Sequence, residues 1–322
     1  MTDGRDMQAV TAESFAIVGS DLRLSILRSL WDADQPLSFS DLQAAAGVRD
    51  STQFNYHLKK LIPQFVRKTT DGYRLAWPGK YVVRAIVAGT LVGDRMEAFP
   101  AGGACLDCAA DLVASYDGDR LTVDCPECDR LYSTWPFPPG GLVDRDSESL
   151  LDAYDRWVRH EFGLGVQGVC SDCGGHVDRL LSMPAEAEDL LCSLLKTGRP
   201  DDVESETDTQ PAHDPAEATE GTDSAPVRAQ YQCRRCRKRA TAHPGMVLLT
   251  EPSVRDFYRD HGQSVETVRY WTLPWAVDDK LVEPLEHEPL RVQVRISLGT
   301  ETLTATVDES LTVVDTTRVH GQ

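Results

Sequence analysis

The sequence predicts an α+β, multidomain protein: a mostly helical N-terminal block with one short hairpin, two four-cysteine β modules, and a small mixed region at the C-terminus. Two observations carry this. Eight of nine cysteines fall in four C-x2-C pairs, and a tetrahedral zinc site needs two such pairs. The N-terminal 90 residues hold eleven Lys or Arg against nine Asp or Glu in a chain of net charge −18, so one block is basic and the rest acidic. At 322 residues the chain suffices for two or three cores.

In the first block, residues 10–92, Ser20-Asp21 is expected to cap a helix with Leu24, Leu27 and Trp31 on one stripe. Pro36 breaks the chain. Ser38-Phe-Ser-Asp41 then has capping-box form and opens a short helix that Gly47 ends. Asp50-Ser-Thr-Gln53 caps the next, whose Phe54, Leu58 and Leu61 should point inward. Phe65-Val-Arg-Lys68 and Tyr73-Arg-Leu75 flank an Asp-Gly turn and read as two strands. Helix, helix, helix, hairpin is the order of a winged helix-turn-helix, whose second motif helix enters a major groove.

On that helix Ser51, Thr52, Gln53, Asn55, Tyr56 and Lys59 face outward. Gln and Asn suit adenine edges and Ser and Thr either partner, whereas Tyr and Lys suit phosphates. Arg49, Lys60 and the hairpin's Arg67, Lys68 and Arg74 complete the expected contacts to double-stranded DNA. His57 is read as a structural or phosphate-contacting residue. Val82, Val83, Ile86 and Val87 form a stripe that would suit a homodimer, although a helix packed within its own domain has the same pattern.

The stretch RDSTQFNYHLKKLIPQFVRKTTDGYRL resembles the DNA-binding segment of the ArsR-like winged helix-turn-helix transcription regulators, chiefly through His57-Leu58-x-x-Leu61. Asn55 stands where that family often has serine, which leaves base preference open. The family's metal-sensing members carry cysteines in the recognition helix. Here none precedes Cys105, so thiophilic-metal sensing at that position is not expected.

The first module, residues 100–138, has Cys105, Cys108, Cys125 and Cys128, its pairs sixteen residues apart, the spacing of a zinc ribbon. Leu112–Tyr116 and Arg120–Val123 should form its hairpin around Asp117-Gly118. Residues 147–163 predict an amphipathic connecting helix with Leu150, Leu151, Tyr154, Trp157, Val158 and Phe162 as its stripe.

The second module, residues 167–250, carries Cys170, Cys173, Cys233 and Cys236, with 59 residues between its pairs. An insertion at 200–226, with nine acids and no Lys or Arg, is expected to be disordered. Swapped pairing of the four turns stays open at this stage, with His176 and His243 as alternative ligands. Cys192, in an apolar run, reads as a small buried hydrophobe. Two structural zinc ions per chain follow, because four thiolates leave no open position for catalysis. In residues 251–318 a helix is expected at Val254–His261, then a three-stranded meander from Leu290 to Val314.

Of the 33 basic residues only seven are lysine. Pervasive acid with arginine for lysine resembles the proteins of salt-accumulating archaea, and with the cysteine pairs it resembles archaeal regulators bearing zinc-ribbon extensions. No apolar run approaches the ~20 residues of a membrane span, and Met1–Val10 lacks signal-peptide features, so a cytoplasmic location is expected. No glycine-rich phosphate loop, H-E-x-x-H or nucleophile-base set is present, so neither an enzyme nor a small-molecule substrate is expected. The reading is a sequence-specific transcriptional regulator. The alternatives are a zinc-ribbon adaptor of the transcription machinery and a metal- or thiol-responsive sensor.

Overall fold

A computed structural model describes residues 12–62, 64–89, 94–183 and 226–320, and its contacts fall into two units. The acidic insertion expected at 200–226 and Cys192 lie outside the described residues, apart from Pro226. The described chain is α+β, with four antiparallel sheets and two four-cysteine clusters. No helix in it is long and apolar enough to cross a membrane.

The first unit comprises Met1–Gly93 with Pro138–Val143. It contains α1 (Ala12–Val18), α2 (Asp21–Trp31), α3 (Phe39–Ala45), α4 (Ser51–Leu61), the hairpin β1 (Val66–Thr69) and β2 (Gly72–Leu75), and α5 (Trp77–Val87). The helix starts follow local chemistry. Ser38 Oγ accepts from the Asp41 amide, and one Asp50 carboxylate oxygen accepts from the amides of Thr52 and Gln53.

Ile26, Leu27 and Leu30 of α2 pack with Leu42, Phe54, Leu58, Leu61, Val66 and Val83 in one core. The expected α2 stripe holds at Leu27 and is corrected beside it: the buried face runs through Ile26, Leu27 and Leu30, and Trp31 stays 36% exposed. Ser20 makes no side-chain cap bond. Gly72, at φ +136°, lets the hairpin lie against Leu37, whose carbonyl would sit 2.3 Å from an added Cβ. On α5, Val83 is buried and Val82 packs on the same core, so that half of the stripe is satisfied within its own unit, while Val87 is exposed.

The second unit comprises Asp94–Phe137 and Asp144–Gln322. Its first sheet is β3 (Asp94–Ala104), β4 (Asp111–Gly118), β5 (Arg120–Asp124) and β6 (Leu131–Pro136), in sequence order. The expected hairpin over Leu112–Val123 is β4 and β5, with Asp117 opposite Arg120. Next, α6 (Ser147–Val166) runs beyond its expected end at 163. Its Tyr154, Val158 and Phe162 are fully buried.

Strands β7 (Val177–Ser182), β8 (Arg228–Cys233) and β9 (Arg239–Ala242) form the second sheet. Phe162 lies 5.9 Å, ring to ring, from both Trp135 on β6 and Tyr231 on β8. The helix foreseen as a connector is therefore the shared core of both modules. The Tyr154 hydroxyl donates to the Leu121 carbonyl at 2.8 Å and bonds Ser133, which also meets the Tyr270 hydroxyl.

Residues 244–277 are short 3-10 turns, with α7 (Pro252–Asp260) and α8 (Pro274–Val277) among them, and they bury Met246 to Leu249, Phe257, Tyr270, Trp271 and Trp275. The last sheet has four strands, β10 (Val282–His287), β11 (Leu290–Leu298), β12 (Glu301–Val307) and β13 (Val313–His320), which corrects the expected three. Strand β10 escapes the pattern because Pro284 and its acids leave nearly all of it exposed at a sheet edge.

The close approach of α6 to β8 is testable at two glycines. A Cβ on Gly165 would meet the Tyr231 ring at 2.3 Å, whereas one on Gly163 finds only Thr250 at 3.8 Å. Gly165→Ala should therefore destabilise by about 1–3 kcal/mol, and Gly163→Ala should stabilise by up to roughly 1 kcal/mol, read by denaturant unfolding of the full chain at constant zinc content.

Candidate metal centres and nucleic-acid interface

All four C-x2-C pairs fold into one backbone form. In each, the first cysteine's amide donates to the carbonyl five residues on, and the residue after the second cysteine donates back to the first cysteine's carbonyl. The four return bonds run from Ala109 to Cys105, Asp129 to Cys125, Gly174 to Cys170 and Arg237 to Cys233, at 2.8–3.2 Å. The donating residue is left-handed in every case, with φ of 62°, 56°, 67° and 65° respectively. That conformation turns both thiols of a pair to one point.

Two such points form. Cys105, Cys108, Cys125 and Cys128 make one cluster, and Cys170, Cys173, Cys233 and Cys236 the other, so the pairing within each expected module holds and the swapped arrangement is excluded. Sulfur separations are 3.4–3.7 Å in the first set and 3.5 Å for Cys170–Cys236 and for Cys173–Cys233 in the second. A tetrahedron with metal–sulfur bonds of about 2.3 Å has edges of roughly 3.8 Å, whereas a disulfide needs about 2.0 Å. All eight cysteines are free thiols.

Neither alternative histidine joins a cluster. His176 is exposed, and His243 Nδ1 accepts from the Gly245 amide, capping a turn.

The electrostatics fit a cation. Burial raises the Cys105 thiol, but the Tyr132 hydroxyl at 3.3 Å and the amides of Cys108 and Asp107 outweigh it and lower it to about 6. Burial also raises Cys233, and the Cys236 and Arg235 amides bring it down to about 7. Burial pushes Cys236 up to about 12, with its three neighbouring thiols adding to the rise. Four thiolates so close need a divalent counter-charge. The chain carries two structural zinc sites, each with four thiolate ligands and no open position.

In the N-terminal unit, the expected contact residues share two elements and the turn before them. Ser51, Thr52, Gln53, Tyr56, Lys59 and Lys60 are exposed on α4, and Asn55 is half-buried. Gln43 locks the turn before α4: its Nε2 donates to the carbonyls of Val48 and Arg49, and its Oε1 accepts from Ser51 Oγ. The Ser51 hydroxyl is thus committed to the turn, and Arg49 is exposed beside it.

On the hairpin Arg67, Lys68 and Arg74 are all exposed. Arg67 and Arg74 stand directly opposite each other, and with Lys80 and Trp77 they line a hollow of about 120 Å³. Like charges in register destabilise a strand pair. Among the described residues of this unit no basic side chain has a carboxylate partner, whereas the second unit pairs Arg130, Arg159, Arg234, Lys238, Arg269 and Arg318, among others.

Two features are new relative to the sequence reading. Trp77 and Tyr81 are exposed on α5 with Lys80 and Arg84 over their rings, a helical i, i+4 spacing the sequence did offer. His57 is half-buried, and burial and then Arg23 hold its imidazole below the ordinary value.

A family model for a domain of unknown function, DUF7351, matches residues 102–313, more than half of the chain. The chain belongs to the DUF7351 family. The match takes in both zinc sites and nearly all of the second unit. A second model, for the domain of unknown function DUF7347, matches residues 11–86. No curated protein and no solved structure matches the chain.

The zinc assignment for the DUF7351 part is checked by native mass spectrometry. The parent chain should carry two zinc ions. Cys125→Ser or Cys233→Ser should carry one, with a loss of stability measurable by denaturant unfolding, because metal binding contributes directly to folding at such sites.

Proposed function

We propose that the protein is a sequence-specific DNA-binding transcriptional regulator, with an N-terminal winged helix-turn-helix of ArsR-like type and a zinc-braced DUF7351 module. The observation that carries the reading is the group of Arg67, Arg74 and Lys80 around one hollow, in register and without a carboxylate among the described residues. In a chain with 51 acidic residues, cations left unpaired and facing each other call for an external anion, and a phosphate backbone supplies charges at that scale.

The order α3, glycine turn, α4, hairpin supports the same reading, since the motif sets its second helix in the major groove. In the proposed mode α4 enters the groove and Arg67, Lys68 and Arg74 hold the backbone. Gln53 and Asn55 read base edges together with Thr52, while Tyr56, Lys59 and Lys60 face phosphates. Ser51 holds the turn to Gln43. The zinc sites hold the second unit's hairpins in register and take no part in chemistry.

Base readout and phosphate contact separate experimentally. Gln53→Ala with Asn55→Ala should cut discrimination between a selected and a scrambled duplex by roughly 5- to 100-fold, the worth of about one bidentate base contact. Lys59→Gln with Lys60→Gln should weaken both duplexes alike and lower the salt slope by about 0.9 per lysine. Equal effects from the two variants would sink the reading. So would a genome-wide crosslinking profile that follows polymerase without motif-centred peaks, the result expected of a transcription-machinery adaptor.

A further inference from the structure

The Cys233/Cys236 turn differs from its three counterparts in the charge it carries. Residues 226–250 hold six Arg or Lys and no Asp or Glu, inside residues 91–322, where acids outnumber bases 42 to 22. Five of the six lie in Arg234–Arg239. The other turns read Cys-Leu-Asp-Cys-Ala-Ala-Asp, Cys-Pro-Glu-Cys-Asp-Arg and Cys-Ser-Asp-Cys-Gly-Gly-His, each with an acid between its cysteines.

The five cations divide by task. Lys238 turns inward to Glu161, Ser171 and Asp172, tying the turn to α6. Arg234 forks onto Asp178 of β7. Arg235, Arg237 and Arg239 are exposed, and among the described residues Arg237 and Arg239 have no carboxylate within ion-pair distance. Arg237 also occupies the left-handed position of the turn, at φ 65°, where the facing turn has Gly174. A non-glycine residue there costs roughly 1 kcal/mol, as it does at Ala109 and Asp129 of the first site.

The result is a pair of guanidinium groups on a turn anchored by two of the site's four thiolates and on the first residue of β9, so little backbone entropy is lost when they bind. Guanidinium holds phosphate bidentately, as it does carboxylate.

We infer that the Cys233/Cys236 turn is a second phosphate-binding surface, which holds the backbone of double-stranded DNA through Arg237 and Arg239 and adds affinity without base selectivity. The inference rests on the reading of the N-terminal block as a DNA reader and extends the contact to the DUF7351 part.

The test uses the full zinc-loaded chain with Arg237→Gly and Arg239→Gln, the first of which relieves the left-handed position and so favours folding. Affinity is measured across a potassium chloride series on a duplex selected by the parent chain from a random library, and on a scrambled duplex. The slope of log affinity against log salt should fall by about 0.9 per arginine, with the ratio between duplexes unchanged and two zincs retained. Should the double variant lose zinc, Arg239→Gln alone carries half the change.

Unaltered slope and affinity on both duplexes overturn the inference and leave the N-terminal reading standing; the arginines then serve another anion, such as the chain's own acidic segment 200–226. A falling slope in a parent chain that never discriminates between duplexes keeps this surface and sinks the sequence-specific reading. A parent chain that binds no duplex overturns both.

Discussion

Four thiolates must meet at one cation, and no single turn of backbone can supply them. Each C-x2-C turn delivers two sulfurs, so every site requires two turns far apart in sequence to be brought within about 4 Å of one another. Antiparallel pairing does this twice: β4 and β5 return the chain over sixteen residues between Cys108 and Cys125, and β7 and β8 close the 59 between Cys173 and Cys233. The rest of the second unit follows. A sheet with one apolar face needs a partner to cover it, and α6 covers both, with Phe162 against Trp135 and Tyr231 and with Tyr154 bonded to β5 and β6. Lys238 then joins the second site to α6 through Glu161.

What the sequence made legible is what local chemistry determines. Ser38 and Asp50 mark helix starts because a side-chain oxygen satisfies amides two or three residues on, a rule that needs no tertiary information. The cysteine spacing and Asp117-Gly118 gave the first site and its hairpin for the same reason. The stretch 244–277 was opaque beyond α7, since 3-10 turns have no lasting period and its aromatics are buried by long-range packing. The face of α2 was set by partners on α3, α4 and α5, which shifted it from Trp31 to Ile26 and Leu30. The arginines at 234–239 were in plain view, but a reading that weighs Cys233 and Cys236 as ligands passes over what lies between and after them.

The distribution of ion pairs is a stronger discriminator than net charge. Acid spread over a surface keeps a protein soluble, and in that case arginines should find carboxylates wherever they occur. In the second unit most of the pairs are of this kind, with Arg269 on Glu148 and Asp152 and Arg318 on Asp260 and Glu301, and among the described residues Arg237 and Arg239 stand apart from them. The N-terminal unit departs from this, with Arg67 placed across from Arg74 and neither neutralised among the described residues. Such an arrangement is held at a cost, since like charges directly opposite one another destabilise a strand pair.

If the proposed DNA-binding reading holds and the chain works in the concentrated salt that its composition resembles, screening decides which contacts count. At about 1 M the Debye length is near 3 Å, so a field summed over distant charges does little to steer DNA. An interaction at contact distance is screened far less, above all when two parallel hydrogen bonds fix its geometry. That favours arginine over lysine, and it favours cations mounted on stiff backbone. The Thr69–Gly72 hairpin turn and the metal-clamped Cys233 turn are both stiff in this sense. In such a solvent the affinity of the proposed DNA reader would have to come from preset geometry, and the uncharged edge of α4, Gln53 and Asn55 above all, would be the part of the surface that salt leaves untouched.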